Sequence, residues 1–210
     1  MSVPRLAVVD YGMGNRRSVE KALEHAGARP VVTSEHGAIR AADGVVVPGV
    51  GAFPKAMENL RRLGLDEVLA DRVADGVPVL GVCLGMQLLF DSSSELGGAA
   101  GMGLLPGPVS RLDAPGAKLP HIGWNLVRWR RDSALSAGLP AACAFYHVHS
   151  FVPRPLDDAD VLGEADYGER FVTAVARGSL FGVQFHPEKS SMHGLKLLAN
   201  FTEICARVAA

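Results

Sequence analysis

The stretch Val77-Pro-Val-Leu-Gly-Val-Cys-Leu-Gly-Met-Gln-Leu-Leu-Phe90 joins a strand pattern to a helix pattern through a single cysteine. The short apolar run from Val79 to Val82 predicts a buried strand. The apolar residues after Cys83 are good helix formers without β-branching, which predicts a helix through the rest of the stretch. Gly81 and Gly85 permit the strained strand-to-helix turn known as a nucleophile elbow. This turn would place Cys83 at a helix N-terminus, where backbone N–H groups and the helix dipole favour a thiolate.

A second motif near the C-terminus supplies groups that would activate this cysteine. Phe181-Gly-Val-Gln-Phe-His-Pro-Glu188 is an apolar strand pattern that ends in a histidine, and Pro187 restricts this histidine to an extended backbone. Residues i and i+2 of an extended segment point to the same side, so His186 and Glu188 can share one site. Cys83, His186 and Glu188 would then be a nucleophile, a base and an orienting carboxylate. Taken alone, Cys83 could equally be a buried structural cysteine.

The order of strand and helix patterns predicts the fold. Short apolar strands alternate with amphipathic helices up to the elbow, which predicts a parallel sheet wound on both faces. After Glu95 the pattern becomes rich in strands, and the chain closes with an amphipathic helix from Lys196 to Val208. We therefore expect an α/β fold with a doubly wound, mostly parallel central sheet and a β-rich second half, in one domain over residues 1–210.

Composition and charge exclude several classes of protein. The net charge of −1 over 210 residues gives no electrostatic reason to bind nucleic acid or an anionic membrane. No apolar run approaches the roughly 20 residues that span a bilayer, and the N-terminus, which enters a strand at once, lacks a signal-peptide pattern. The three cysteines have no metal-like spacing, so a reduced, cytoplasmic location is expected, with Cys143 and Cys205 as structural residues.

The elbow and the His-Pro-Glu motif together resemble those of the class I, triad-type glutamine amidotransferases. Five motifs in order are similar, more narrowly, to those of the glutaminase subunits of imidazole glycerol phosphate synthases. These motifs are Asp10–Val19, Pro48–Phe53, Pro120–Asn125, Phe145–Ser150 and His186–Ser191. They cover nearly the whole chain, and the four outside the His-Pro-Glu motif are the more specific ones.

The resemblance implies a role for each of a set of residues. It implies a catalytic triad of Cys83, His186 and Glu188, and an oxyanion hole formed by the Leu84 N–H and the Val50–Gly51 peptide. It implies that glutamine is bound by Gly49, Gln87, Glu95, His149 and Ser150. It implies that Asn15, Trp124, Tyr146 and Lys189 lie at the partner interface or carry its signal.

The implied reaction is hydrolysis of glutamine to glutamate and ammonia through a cysteine thioester, with no cofactor. The implied partner is a (β/α)8-barrel cyclase subunit, which forms a heterodimer with this chain and receives the ammonia through a channel in histidine biosynthesis. Arg16 and His147 depart from the family pattern, in which apolar and aromatic residues are more usual.

Several alternatives remain at this point. The chain could be the glutaminase subunit of another synthase, making anthranilate, aminodeoxychorismate or pyridoxal phosphate. It could be a γ-glutamyl peptidase, or a noncatalytic binding member of the fold, although no triad residue is missing. A dinucleotide site after the first strand is disfavoured because Arg17 replaces the last glycine of the fingerprint. A metal site at His121, His147 and His149 is disfavoured because no carboxylate or cysteine completes the set.

Overall fold

The computed structural model describes residues 3–208 of the 210-residue chain. Met1 and Ser2, the first residues of the N-terminal stretch in which no signal-peptide pattern was found, lie outside the described residues. The strands are β1 Arg5–Val9, β2 Arg29–Thr33, β3 Gly44–Gly49, β4 Val79–Cys83, β5 Phe90–Ser93, β6 Ala99–Ala100, β7 Leu105–Arg111, β8 His121–Trp129, β9 Ala142–His149, β10 Phe151–Pro153, β11 Val161–Tyr167, β12 Glu169–Arg177 and β13 Leu180–Val183. The helices are α1 Arg16–His25, α2 His36–Arg40, α3 Phe53–Arg62, α4 Leu65–Ala74, α5 Leu84–Leu88 and α6 Ser191–Val208.

A nine-stranded sheet forms the centre of the molecule, in the order β2-β1-β3-β4-β13-β12-β11-β8-β9. The pairings from β2 through β13 are parallel, and those from β13 to β9 are antiparallel. The predicted α/β fold is confirmed, with a mixed sheet whose antiparallel half is the predicted β-rich second half.

Alternate residues of the parallel strands face two separate cores. On β1, Leu6 and Val8 belong to a core built with α1 and α6, whereas Ala7 and Val9 belong to a core built with α2, α3, α4 and α5. This alternation is the side-chain period of a strand buried on both faces. Helices therefore cover both faces of the parallel half, as the doubly wound prediction requires. Within residues 3–208, no helix combines the length and the apolar character needed to cross a bilayer.

The segment after the elbow differs from its predicted structure. The helix that was expected to reach Phe90 ends at Leu88, and Phe90–Ser93 is a strand of a second, four-stranded sheet in the order β10-β7-β5-β6. A short apolar run does not distinguish a buried helix from a buried strand, and here the parallel pairing of Phe90 with Leu105 decides for a strand. Ser150 separates β9 from β10, which lies in the second sheet, although the apolar pattern from Phe145 to Val152 continues across it.

Candidate active site

Cys83 lies at the sharp turn between β4 and α5. Its backbone has φ 55° and ψ −111°, a left-handed combination that non-glycine residues rarely adopt. A Cβ on Gly85 would lie 1.8 Å from the backbone oxygen of Val47, and one on Gly81 would lie 2.7 Å from that of Gly85. The two glycines thus allow the turn to pack against the neighbouring strand, in the geometry that their spacing predicts.

His186 and Glu188 follow β13, which is the parallel neighbour of β4 in the sheet. His186 Nδ1 and Glu188 Oε1 are 3.0 Å apart, and both side chains are almost fully buried. The backbone N–H of His186 donates to Tyr146 O at 2.9 Å, and the Ser190 hydroxyl donates to His186 O at 2.6 Å. Backbone and side-chain bonds therefore fix the histidine, with Nδ1 engaged by the carboxylate and Nε2 left for Cys83.

The charge state of His186 is set by opposing effects. Burial lowers the pKa of His186, but hydrogen bonds and charge attraction from Cys83 and Glu188 together raise it to about 10. The imidazole is therefore protonated near neutral pH, in the state that pairs with a cysteine thiolate. A protonated imidazole beside a cysteine is the arrangement that activates a thiol as a nucleophile.

Cys83 opens into a cavity of about 250 Å³, a size suited to a small metabolite. The lining residues are Val50, Gly51, Cys83, Leu84, Gln87, Glu95, Val148, His149, Ser150, Phe151, His186 and Lys189. The cavity thus contains most residues predicted for the oxyanion hole and for glutamine binding. It also contains Lys189, which was predicted for the partner interface.

Glu95 joins this cavity to the start of α3. Its Oε2 accepts the backbone N–H of Phe53 at 2.8 Å. Phe53 is the first residue of α3 and directly follows the loop that contains Val50 and Gly51. The carboxylate therefore fixes the end of the loop predicted to form the oxyanion hole, while the residue also lines the cavity.

The start of that loop is held by Tyr11, which the sequence motifs do not mark as a site residue. The Tyr11 hydroxyl donates to the backbone oxygen of Pro48 at 2.6 Å. Burial, and then the charge of Cys83, raise the pKa of Tyr11 far above its ordinary value. Gly51 has φ +114°, a backbone conformation that glycine adopts readily and other residues rarely adopt. No pattern in the sequence identifies the Tyr11 contact, because its acceptor is a backbone atom 37 residues away.

Gly49 and Asn15 lie behind the main cavity rather than in it. Both residues border a narrow gap between packed side chains, together with His186 and Glu188. Gly49 pairs with Cys83 across β3 and β4, and a Cβ there would lie 2.7 Å from the Gly85 nitrogen. Within residues 3–208, Glu188 Oε2 is buried and has no hydrogen-bond partner. Gly49, predicted to bind glutamine, and Asn15, predicted to carry the partner signal, therefore lie beside the triad and not in the main cavity.

Trp124 and Tyr146 lie on the antiparallel half of the sheet. They are paired across β8 and β9, and their rings meet edge to face with centroids 6.2 Å apart. Trp124 is 55% exposed and lies between two further exposed apolar side chains on the same strand face, Ile122 and Leu126. Ile122, Trp124 and Leu126 together form an apolar surface that we call the outer strip.

His121, His147 and His149 form a buried cluster next to the cavity. His121 Nδ1 and His149 Nε2 are 3.1 Å apart, and the rings of His121 and His147 are stacked at 5.2 Å. His147 Nδ1 lies 3.1 Å from Phe145 O and its Nε2 lies 2.8 Å from the Thr173 hydroxyl. A carbonyl oxygen only accepts, so Nδ1 carries the proton and Nε2 accepts from Thr173. The His147 ring is thus satisfied in its neutral form.

The other departure from the family pattern, Arg16, forms an ion pair with Asp10 at the start of α1. Across residues 3–208, no three or more His, Cys, Asp or Glu side chains are grouped in a way that could hold a metal ion. The three cysteines are free thiols, all buried.

Gln184 is the contact to Cys83 that the sequence motifs did not reveal. It is fully buried, and its Nε2 lies 3.6 Å from Cys83 Sγ. Its Oε1 accepts from Gln87 Nε2 at 2.9 Å, and Gln87 Nε2 also donates to Phe151 O at 3.0 Å. The sequence holds one signal for it, since Gln184 is the single polar residue within the apolar run from Leu180 to Phe185.

The chain is similar to a family of known enzymes. The family model described as Glutamine amidotransferase class-I matches residues 7–205. Two similar relatives are named imidazole glycerol phosphate synthase subunit HisH. The protein from Moorella thermoacetica is 52% identical, over 95% of this chain and 94% of its own length. The protein from Bacillus cereus strain G9842 is 50% identical, over 93% of each chain.

Solved structures share the fold at lower identity. A chain of PurLQS from Thermotoga maritima is 19% identical, with a TM-score of 0.77 over all of both chains. The glutaminase domain of CTPS from Trypanosoma brucei is 22% identical, with a TM-score of 0.68 over 99% of this chain and 94% of that one. At these identities the likeness extends to the fold alone.

Proposed function

The chain belongs to the class I glutamine amidotransferase family and to its HisH subunits of imidazole glycerol phosphate synthase, and from this we infer that it is a glutaminase subunit of histidine biosynthesis. It hydrolyses glutamine to glutamate and ammonia. One arrangement carries the proposal for the site: Cys83 on a strained elbow lines the same cavity as His186, whose Nδ1 is 3.0 Å from Glu188.

Each triad residue has a distinct task in the proposed reaction. Cys83 attacks the side-chain amide carbon of glutamine as a thiolate, and His186 gives its proton to the departing ammonia. Water then hydrolyses the γ-glutamyl thioester with His186 as the base, while Glu188 holds the imidazole in place. The raised pKa of His186, about 10, supports this assignment because a protonated imidazole can give its proton to the departing ammonia.

The cavity supplies groups for both ends of glutamine. The Leu84 N–H and the Val50–Gly51 peptide stabilise the oxyanion that forms on the amide oxygen when the thiolate attacks the amide carbon. Glu95 binds the α-ammonium group, and Gln87, His149, Ser150 and Gly49 complete the glutamine site. Because Glu95 also holds the N–H of Phe53, binding of the α-ammonium group acts on the same loop that provides the oxyanion donors.

The ammonia passes to a second subunit of the synthase. We assign this partner as a (β/α)8-barrel cyclase that forms a heterodimer with this chain. We place the heterodimer in the cytoplasm and treat residues 1–210 as one domain. Ammonia released into water near neutral pH would be protonated and lost as a nucleophile, so a channel between the subunits serves the reaction. The exposed outer strip is an apolar patch suited to such an interface, with Trp124 and Tyr146 in the contact and Asn15 and Lys189 relaying its signal.

Glutamate release by the purified chain tests the proposal. The rate is measured alone, with a cyclase barrel, and with that barrel plus its ribulosyl ligand. We expect slow release alone and strong stimulation by the liganded barrel. Rapid release that is indifferent to the barrel would retain the glutaminase chemistry and contradict the assignment to this synthase.

A Cys83→Ala variant provides the control for the chemistry. In the assembled complex it should lose glutamine-dependent synthesis by about a thousandfold or more, because no thioester can form. Synthesis from added ammonium salt should continue at the wild-type rate. An equal loss of both activities would show that Cys83 is structural.

A further inference from the structure

Gln184 is a polar side chain in a position where the sequence otherwise places apolar residues. Its neighbours Val183 and Phe185 are fully buried core residues, and Gln184 itself has no exposed surface. Burying an amide costs free energy unless its donors and acceptors are paired. An apolar residue would pack here without that cost, so the amide requires an explanation beyond stability.

The direction in which this amide points follows from its partners. Phe151 O is a backbone carbonyl and only accepts, so the atom of Gln87 facing it at 3.0 Å is the amide nitrogen. That nitrogen donates to Gln184 at 2.9 Å, so the facing atom of Gln184 is its oxygen. The nitrogen of Gln184 is then the atom 3.6 Å from Cys83 Sγ. The backbone carbonyl thus fixes the orientation of two amides in series.

The sulfur of Cys83 has a second close contact, and this one favours the neutral thiol, whereas the amide N–H of Gln184 favours the thiolate. Val148 O lies 3.7 Å from Cys83 Sγ, where it can accept from a thiol but would repel a thiolate. The amide N–H of Gln184 is a donor, and a neutral sulfur is a weak acceptor whereas a charged one is strong. The contact to Gln184 therefore gains most of its strength when the proton leaves the sulfur.

We propose that Gln184 is a further catalytic residue, whose amide N–H donates to Cys83 Sγ and stabilises the thiolate from the side of the protein core. Gln184 does not line the cavity that would hold glutamine, so it acts on the nucleophile and not on the substrate. Gln87 has a supporting role, since it holds the Gln184 amide with its nitrogen toward the sulfur.

This inference rests on the proposed role of Cys83 as nucleophile, but its test needs neither glutamine nor a partner. The rate of Cys83 alkylation by iodoacetamide is measured against pH in the full chain, together with the ultraviolet absorbance of the thiolate. Gln184→Met keeps the approximate length of the side chain and removes the donor. We expect the midpoint of the profile to move to higher pH by about one unit or more, which slows alkylation at pH values below the midpoint about tenfold.

Gln87→Met tests the orientation of the amide and does not depend on the folding of the first variant. Methionine removes the donor to Gln184 Oε1 without adding a charge near the sulfur, so the Gln184 amide is no longer held with its nitrogen toward Cys83. The alkylation midpoint should move in the same direction, by a smaller amount. A folded Gln184→Met or Gln87→Met protein with the wild-type alkylation profile would overturn the inference.

Cys83→Ala measures the background of the assay. Burial raises the pKa of the two remaining thiols, that of Cys205 to about 12, so their alkylation should be slow near neutral pH. A normal thiolate profile in a wild-type chain that releases no glutamate even with the liganded barrel would contradict the proposed function, while leaving the contact to Gln184 open to this test. The two conclusions can therefore fail separately.

Discussion

Cys83 has a backbone conformation that costs free energy and is retained because it exposes the sulfur to the cavity. At φ 55° its Cβ is crowded by its own backbone, a strain of about 1–3 kcal/mol. The spacing of Gly81 and Gly85 reveals this turn in the sequence because the constraint is local. The contact from Gln184 is not revealed, since the two residues are 101 positions apart and only the folded sheet brings them together.

The strain at Cys83 can be measured with two substitutions that both remove the thiol. Cys83→Gly should be more stable than Cys83→Ala by about 1 kcal/mol, because relief of the strained Cβ exceeds the added entropy of glycine in the unfolded chain. Chemical denaturation of the two inactive variants gives the difference in free energy of unfolding. An alanine variant as stable as the glycine variant would contradict a strained elbow.

His147 should make the stability of the protein depend on pH. Burial, and then the charge of His121, lower its pKa from 6.5 to about 3. Between these values the unfolded chain binds a proton that the folded chain does not, so stability falls as the pH is lowered below 6.5. The loss is about 1.4 kcal/mol per pH unit for this residue.

His147→Phe removes this titrating group and should therefore show a shallower loss of stability between pH 6 and pH 4. Unfolding free energies of the variant and the wild type are compared at each pH. The difference at pH 7 gives the cost of losing the bond to Thr173 and is subtracted from the differences at lower pH. Parallel curves for the two proteins would contradict a neutral, buried His147.

At the scale of elements, the helix α5 is shorter than the sequence predicted. The apolar pattern after Cys83 predicted a longer helix, because periodicity alone does not show where a buried helix gives way to a strand. The pairing of β5 with β7 ends the helix and is a long-range effect that a local pattern does not contain. By contrast, the helical spacing over Leu65–Ala74 is not interrupted by such a pairing, and α4 has those bounds.

Gly85→Ala tests the packing of α5 against β3. The added Cβ would overlap the backbone oxygen of Val47, which cannot move without distorting the sheet, so we expect a loss of about 3 kcal/mol or more. Gly37→Ala is the matched control, since that glycine lies in α2 with no atom within 4 Å of an added Cβ. It should be neutral or stabilise by up to about 1 kcal/mol. Equal thermal stability of both variants would contradict this account.

At the scale of the whole molecule, the mixed sheet places two kinds of surface at its two ends. The parallel half carries the nucleophile and is covered by helices, whereas β8 exposes the outer strip. The sequence predicted a β-rich second half, but the strand order was not evident because antiparallel neighbours are chosen by long-range packing. Trp124 and Tyr146 were selected by resemblance to a family, and the strip that surrounds Trp124 became visible only in the fold.

Trp124→Glu should weaken binding of the cyclase subunit by about a hundredfold or more, because a buried aromatic residue is often a dominant contact. Its effect on stability should be small, since the residue is already exposed. Val31→Glu is the control, as Val31 is an exposed apolar residue of β2 at the opposite edge of the sheet. Titration calorimetry with the barrel gives both affinities, and equal affinities would place the interface elsewhere.

The position of β13 has a consequence for the order in which the protein is made. This strand is the last of the sheet to leave the ribosome, yet it lies in the middle, between β4 and β12. Until it emerges, both neighbours present unpaired edges, which are templates for aggregation. His186 and Glu188 follow directly after it, so an incomplete chain has a cysteine without its base. The nascent chain therefore exposes the most unpaired strand edge just before its chemistry becomes possible.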